Sequence, residues 1–296
     1  MSRWSATARE TLLAVAGLVV LALALSMLWA ARDSGPLYGA SFQRETGEDY
    51  AAALARTDDD LGLDLVRVYY DGAPEPWPGR APDRSVVVSF KIPPREVLSG
   101  SRDAEMRAWF AAAPTDREVY WVYWHEPEDE VDDGLFTASQ YRRAFAHLDG
   151  LADEADNPRL RSTAVLQSYT TREASGRDWR DFAPEPGTVD VLAWDVYNRA
   201  AVDGAYTSPA ELLDDARRAS ESIGSGFAIA EVGSAVAEGD DGTGRSAWLR
   251  ALGDYAAEHD AQFVAYFDFS WNGGRDDYRL RDAPSVQAWR ELVDGG

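Results

Sequence analysis

From Leu37 onward, short β-rich apolar runs alternate with amphipathic stretches, and this rhythm constrains the fold more than any other feature of the chain. The runs are Leu37–Phe42, Leu65–Tyr70, Ser85–Phe90, Val119–Trp124, Ser162–Gln167, Val189–Trp194, Phe227–Ala230 and Phe263–Phe267. Between them the periodicity predicts helices over Gly47–Asp60, Asp103–Ala113, Thr137–Ala155, Ser208–Ile223, Arg245–His259 and Pro284–Val293. Thr137 opens its helix with TASQ, which fits a capping box. Strands separated by crossovers of that length pair in parallel, because antiparallel neighbours need only a tight turn. Eight such units in residues 37–296 match a (β/α)8 TIM barrel, for which roughly 250 residues is typical. No GxGxxG follows the first strand, so a doubly wound nucleotide-binding sheet is disfavoured.

Ahead of the barrel, Leu12 to Ala31 carries no charge and is long enough as a helix to span roughly 30 Å of hydrocarbon. Arg3 and Arg9 precede it and Arg32 follows, a bias that leaves the N-terminus in the cytoplasm. The expected order is therefore a cytoplasmic tail (1–11), a transmembrane signal-anchor (12–31), a linker (32–36) and an extracellular barrel (37–296) at the cell membrane, secreted instead if the segment is cleaved. The formal net charge of −22, with Lys91 the sole lysine, repels phosphate backbones and excludes nucleic acid as a natural partner. Zero cysteines rule out disulfides, thiolate metal sites and a cysteine nucleophile.

A barrel carries its chemistry at the C-terminal ends of its strands, and there the polar residues gather. His125 and Glu126 follow the fourth strand; Asp195, Tyr197 and Asn198 the sixth; Glu231 the seventh; Asp268, Trp271 and Asn272 the eighth. Arg67 lies between Val66 and Val68 on the face of Leu65 and Tyr69. In GFAIAEVGS, strict alternation puts Phe227, Ile229 and Glu231 on one face, as a row of interior side chains. In YWVYWHEPEDE, the aromatic strand offers a wall on which sugar rings stack, and the same apolar wall raises the pKa of Glu126 toward that of a general acid. Pro127 ends the strand, and Glu128, Asp129 and Glu130 read as solvated loop acids. Trp124, Trp194 and Trp77 are further aromatic candidates, and Lys91 and Gln167 offer polar contacts.

Two carboxylates on opposed parts of a barrel rim are the minimum machinery for glycosidic cleavage, one protonating the leaving oxygen and the other attacking or activating water. His147 and His259 fall within predicted helices and no HExxH occurs, so no catalytic metal and no cofactor are expected. The absence of GxSxG disfavours serine hydrolysis.

The residues at these strand ends resemble those of clan A glycoside hydrolases. The His-Glu pair of WHEPE and the segment WDVYN are similar to glycoside hydrolase family 26, which includes β-mannanases. The resemblance implies a retaining barrel enzyme with Glu126 as acid/base, Glu231 as nucleophile, Tyr197 contacting the nucleophile and Trp271 flooring the subsite of the attacked sugar. His125, Arg67, Trp124 and Asp195 complete the expected substrate-binding set. The implied partner is an extracellular polysaccharide or oligosaccharide. The alternatives are a catalytically silent polysaccharide-binding barrel and a membrane-tethered accessory of exopolysaccharide synthesis or export.

Overall fold

Eight strands close on themselves: β1 (Leu37–Phe42), β2 (Leu65–Tyr70), β3 (Ser85–Phe90), β4 (Val119–Tyr123), β5 (Leu160–Gln167), β6 (Val191–Asn198), β7 (Gly226–Ser234) and β8 (Phe263–Asp268) pair in sequence order, and β8 returns to β1. Every pairing in the barrel is parallel. The structure is a computed structural model that describes residues 35–80, 83–271 and 276–295. The expected cytoplasmic tail and membrane anchor lie outside the described residues, and among the described residues no helix is long and apolar enough to cross a membrane.

Helices α1 (Tyr50–Leu61), α2 (Pro94–Leu98), α3 (Asp103–Ala111), α4 (Pro127–Asp132), α5 (Ala138–Asp153), α6 (Ala200–Asp203), α7 (Pro209–Ser222), α8 (Thr243–Glu258) and α9 (Ala283–Gly295) fill the connections. Their starts follow from capping. Asp49 accepts from the Ala52 N–H, Ser208 accepts from the Glu211 N–H with Pro209 at the first helical position, and Thr137 and Gln140 form the complete capping box read from TASQ. After β5, three single 3₁₀ turns stand in place of a long helix, and a short antiparallel pair, β9 (Ser270–Trp271) and β10 (Asp276–Asp277), follows β8.

Alternation divides the core into two layers. Leu65, Val87, Tyr120, Val122, Val165, Val191, Ala193 and Phe263 fill the barrel, while Val66, Val88, Trp121, Leu192 and Tyr266 face the helices. Trp121 stacks on Phe145 of α5 with ring centroids 5.1 Å apart, and removing so buried an indole costs about 3–5 kcal/mol. Gly39 lets β1 approach β2, since a Cβ there would sit 2.0 Å from the Leu65 carbonyl oxygen.

One departure from alternation decides where a key side chain points. Phe227 and Ile229 belong to the helix-side layer, and Ala228 and Ala230 to the interior. Glu231 would therefore face the helices if β7 were regular, contrary to the interior row expected from the sequence. Instead Trp194 pairs with Ile229 and Asp195 with Glu231, and β8 shows the same slip, Ile229 opposite Val264 and Val232 opposite Tyr266. Ala230 is the extra residue of a β-bulge, and the bulge turns Glu231 inward beside it.

Candidate active site

At the mouth, β2, β6 and β7 deliver one cation and two acids to the same point. Arg67, inward on β2 in phase with Leu65, has a fully buried side chain. Its Nη1 donates to Asp195 Oδ1 at 3.0 Å, and its Nη2 stands 3.1 Å from Glu231 Oε1. Burial alone would favour losing the guanidinium proton, but Asp195 and Glu231 hold the charge in place. Two phenols complete the shell of Glu231: Tyr69 donates to Oε1 at 2.9 Å and Tyr197 donates to Oε2. Burial pushes both phenol pKa values well up, so both remain donors. Tyr197 is backed by Tyr278, stacked at 5.1 Å. Burial also pushes the Asp195 carboxyl well up, against the pull of Arg67.

Across the mouth, Glu126 has a different setting. Trp124 (φ 50°) and Glu126 (φ 49°) both adopt the left-handed conformation, which is strained for side-chain-bearing residues. The chain thereby leaves β4 abruptly, and the Glu126 N–H caps this exit by donating to the Val165 carbonyl at 2.9 Å. Among the described residues no hydrogen bond reaches the Glu126 carboxyl. Burial pushes its pKa up to about 8, and the charges of Glu231 and Glu128 push the same way against the weaker pull of Arg67. His125, edge-on to Tyr69 at 5.2 Å, is held neutral by burial and by the cations Arg67 and Lys91. Its Nδ1 is buried without a partner.

The structure thus brings Arg67, His125, Glu126, Asp195, Tyr197 and Glu231 together. A cavity of about 830 Å³ opens beside them, lined by Glu126, Asp195, Tyr197, Tyr169, Arg172 and Tyr278, a size usual for small-ligand sites. Trp271 is 60% exposed on β9 and makes no ring contact among the described residues. Trp124 packs edge-on against Phe136 in the helix-side layer, with Lys91 over its ring. Trp194 faces the helices and donates to Ser220, Trp77 stacks on Trp109, and Asn198 donates to the Thr207 carbonyl while lining the cavity. Asp268 accepts from the Leu280 N–H, and Asn272 lies outside the described residues. Among the described residues no group of three or more His, Cys, Asp or Glu side chains is placed to hold a metal ion.

Two corrections concern the acids after Pro127. They are helical, because Pro127 occupies the first turn of α4, where its missing N–H costs nothing. Glu128 is fully buried rather than solvated, while Asp129 pairs with Arg177 and Glu130 with Lys91. Tyr69 was the residue missed outright as a partner of Glu231, although its phase with Arg67 on β2 was visible.

No family model matches the sequence, and no curated protein sequence matches it. Solved structures do match the fold. The endo-1,4-β-D-mannanase of Thermotoga petrophila superposes with a TM-score of 0.53 at 12% identity, over 88% of this chain and 100% of that one. A glucosidase from Croceicoccus marinus gives 0.60 at 14% identity, covering 88% and 66%. A modular endo-β-1,4-mannanase from Cellulomonas fimi, of glycoside hydrolase family 26, gives 0.55 at 15% identity, covering 91% and 72%. The likeness is to glycosidases built on (β/α)8 barrels, and at these identities it speaks for the architecture.

Proposed function

We propose that this chain is a retaining β-glycoside hydrolase of the clan A type, acting on an extracellular polysaccharide and tethered by residues 12–31. The observation that carries the reading is the unlike setting of two carboxyls at one mouth: Glu231 held by a cation and two phenols, Glu126 desolvated and proton-retaining. Such a split assigns the chemistry. A Glu231 oxygen attacks the anomeric carbon while the glycosidic C–O bond breaks, and Glu126 passes its proton to the leaving oxygen. Glu126, now ionised, takes a proton from water. The resulting hydroxide attacks the same carbon, breaks the glycosyl ester and frees Glu231. Arg67 and the two phenols hold Glu231 aimed at that carbon. Tyr197 and His125 also border the sugar, and Trp271 offers a stacking face at the outer rim.

The mannanases and the glucosidase that share the fold make β-mannan, β-glucans and xylans the first substrates to try. The soluble fragment from Ser34 onward is expected to release sugars from one of them, with the anomeric configuration of the first-formed product retained by ¹H NMR. Inversion would reject the double displacement, since inverting sites hold their carboxyls roughly 6.5–9.5 Å apart and retaining ones roughly 5–5.5 Å.

A further inference from the structure

Glu128 is a buried carboxyl near the mouth that the mechanism leaves unused. It lies in the first turn of α4, two residues beyond Glu126, with none of its surface exposed. One oxygen accepts the Gln167 N–H at 2.8 Å, and the other is buried without a partner. Its place in the sheet explains that bond. The β4–β5 ladder ends at the pair Val122 and Thr163, because β4 turns away through its left-handed residues. Two bonds continue the seam beyond that point: the Glu126 N–H to the Val165 carbonyl, and the Gln167 N–H to Glu128. Gln167 in turn stands opposite Asp195 on β6. Its side chain is gripped as well, donating to Asp129 at 3.2 Å and accepting from Arg177 at 3.0 Å.

We propose that Glu128 is a positioning residue for Glu126: it supplies the acceptor that β4 no longer offers to β5, fixes the strained turn that carries Glu126, and holds a second carboxyl beside it. The proposal rests on Glu126 as the acid/base. A left-handed glutamate at a strand exit has no intrinsic reason to stay put. A buried clasp two residues away over-determines it, as a stored backbone strain requires.

The clasp is electrical as well as mechanical. Burial pushes the Glu128 pKa up to about 8, while the Gln167 N–H pulls it down. The groups facing it are Glu126 at the exit of β4, Asp195 from β6, Arg177 and Tyr169 from the connection after β5, and Tyr141 from α5. Those facing Glu126 are Glu231 from β7, Asp195 from β6, Arg67 from β2, Tyr169 from the connection after β5, and Asp129 and Glu128 from α4. Glu128 stands among the acids that raise the Glu126 pKa, so charge on Glu128 delays ionisation of Glu126.

The decisive measurement is the Glu126 titration in protein carrying ¹³C-labelled glutamate, its resonance assigned by loss in Glu126→Gln. In Glu128→Gln, which keeps an acceptor for Gln167 but cannot ionise, the Glu126 midpoint is expected to fall by at least threefold in acid dissociation constant. The basic limb of kcat/KM moves with it. In Glu128→Ala the turn also loosens, and kcat is expected to drop at least tenfold while KM stays within twofold. An unchanged Glu126 midpoint in Glu128→Gln overturns the proposal whatever happens to kcat, because lost rate alone reports disturbed packing. The titration needs no turnover. A midpoint that shifts in a protein cleaving no glycan would sink the hydrolase reading and leave the coupling standing.

Discussion

The two sides of the barrel mouth solve opposite problems with the same side chain. On the β2–β6–β7 side, Glu231 is surrounded by donors: a guanidinium at 3.1 Å, the Tyr69 phenol at 2.9 Å and the Tyr197 phenol. On the β4 side, no hydrogen bond among the described residues reaches the Glu126 carboxyl, whose nearest charged company is chiefly negative. One cation serves three carboxyls here, and burial raises the pKa of Glu126, whose carboxyl has no donor among the described residues, to about 8. Role is set by what each strand brings to the glutamate rather than by the glutamate itself.

The most severe way to break this contrast is Glu231→Gln, which is expected to lower kcat on the order of 10⁴-fold or more while sugar binding, measured calorimetrically, survives. A silent binding barrel would have no rate to lose. Replacing Glu126 by Ala should cost about 10²- to 10⁴-fold on natural glycans. The loss should be much smaller on aryl glycosides whose leaving group needs no proton, and equal losses on both substrates would deny Glu126 the acid role. Arg67→Met leaves Asp195 and Glu231 buried without their cation, and thermal unfolding at neutral pH should show a deficit of about 3–5 kcal/mol. Tyr197→Phe removes one bond to a charged acceptor, and kcat should fall about 10- to 100-fold.

The pH profile sharpens the contrast without mutation. In the proposed mechanism Glu126 acts protonated, and its pKa is raised to about 8, so kcat/KM should fall tenfold per unit above that value. The same shift bears on stability. The folded state keeps a proton that the unfolded chain gives up near its ordinary carboxyl pKa of 4.5, so this contribution is complete below that pH and is lost as pH rises through about 8. The smallest effect belongs to Lys91→Met. Its ion pair with Glu130 and its place over Trp124 are partly open to water, and melting should report no more than about 1 kcal/mol.

Much of this was legible in the sequence, and for a physical reason. Parallel strands buried on both faces advertise themselves as apolar runs, and β1, β2 and β3 end where their runs end. Arg67 was legible because a charge in phase with Leu65 on a regular strand can only point inward. The same alternation removes Trp194 from the site, in phase with Leu192 and Val196, while it delivers Asp195. Sequence reasoning fails where the backbone departs from regularity. Ala230 carries no mark of a bulge, so Glu231 was assigned to the correct side through the wrong phase. Pro127 ends the reach of the strand but also starts a helix, and reading the acids after it as solvated loop hid Glu128. Short-range rules cannot see a clasp that exists only because β4 exits and β5 continues.

Ala230 also sets a size limit. It shares the interior face with Glu231, two neighbours crowding where a regular strand would seat one, and its methyl group is completely enclosed. Any branched residue at 230 must either push the adjacent carboxyl off its donors or flatten the strand and rotate it toward the helices. A position with no chemistry of its own therefore gauges how much side-chain volume the mouth can admit.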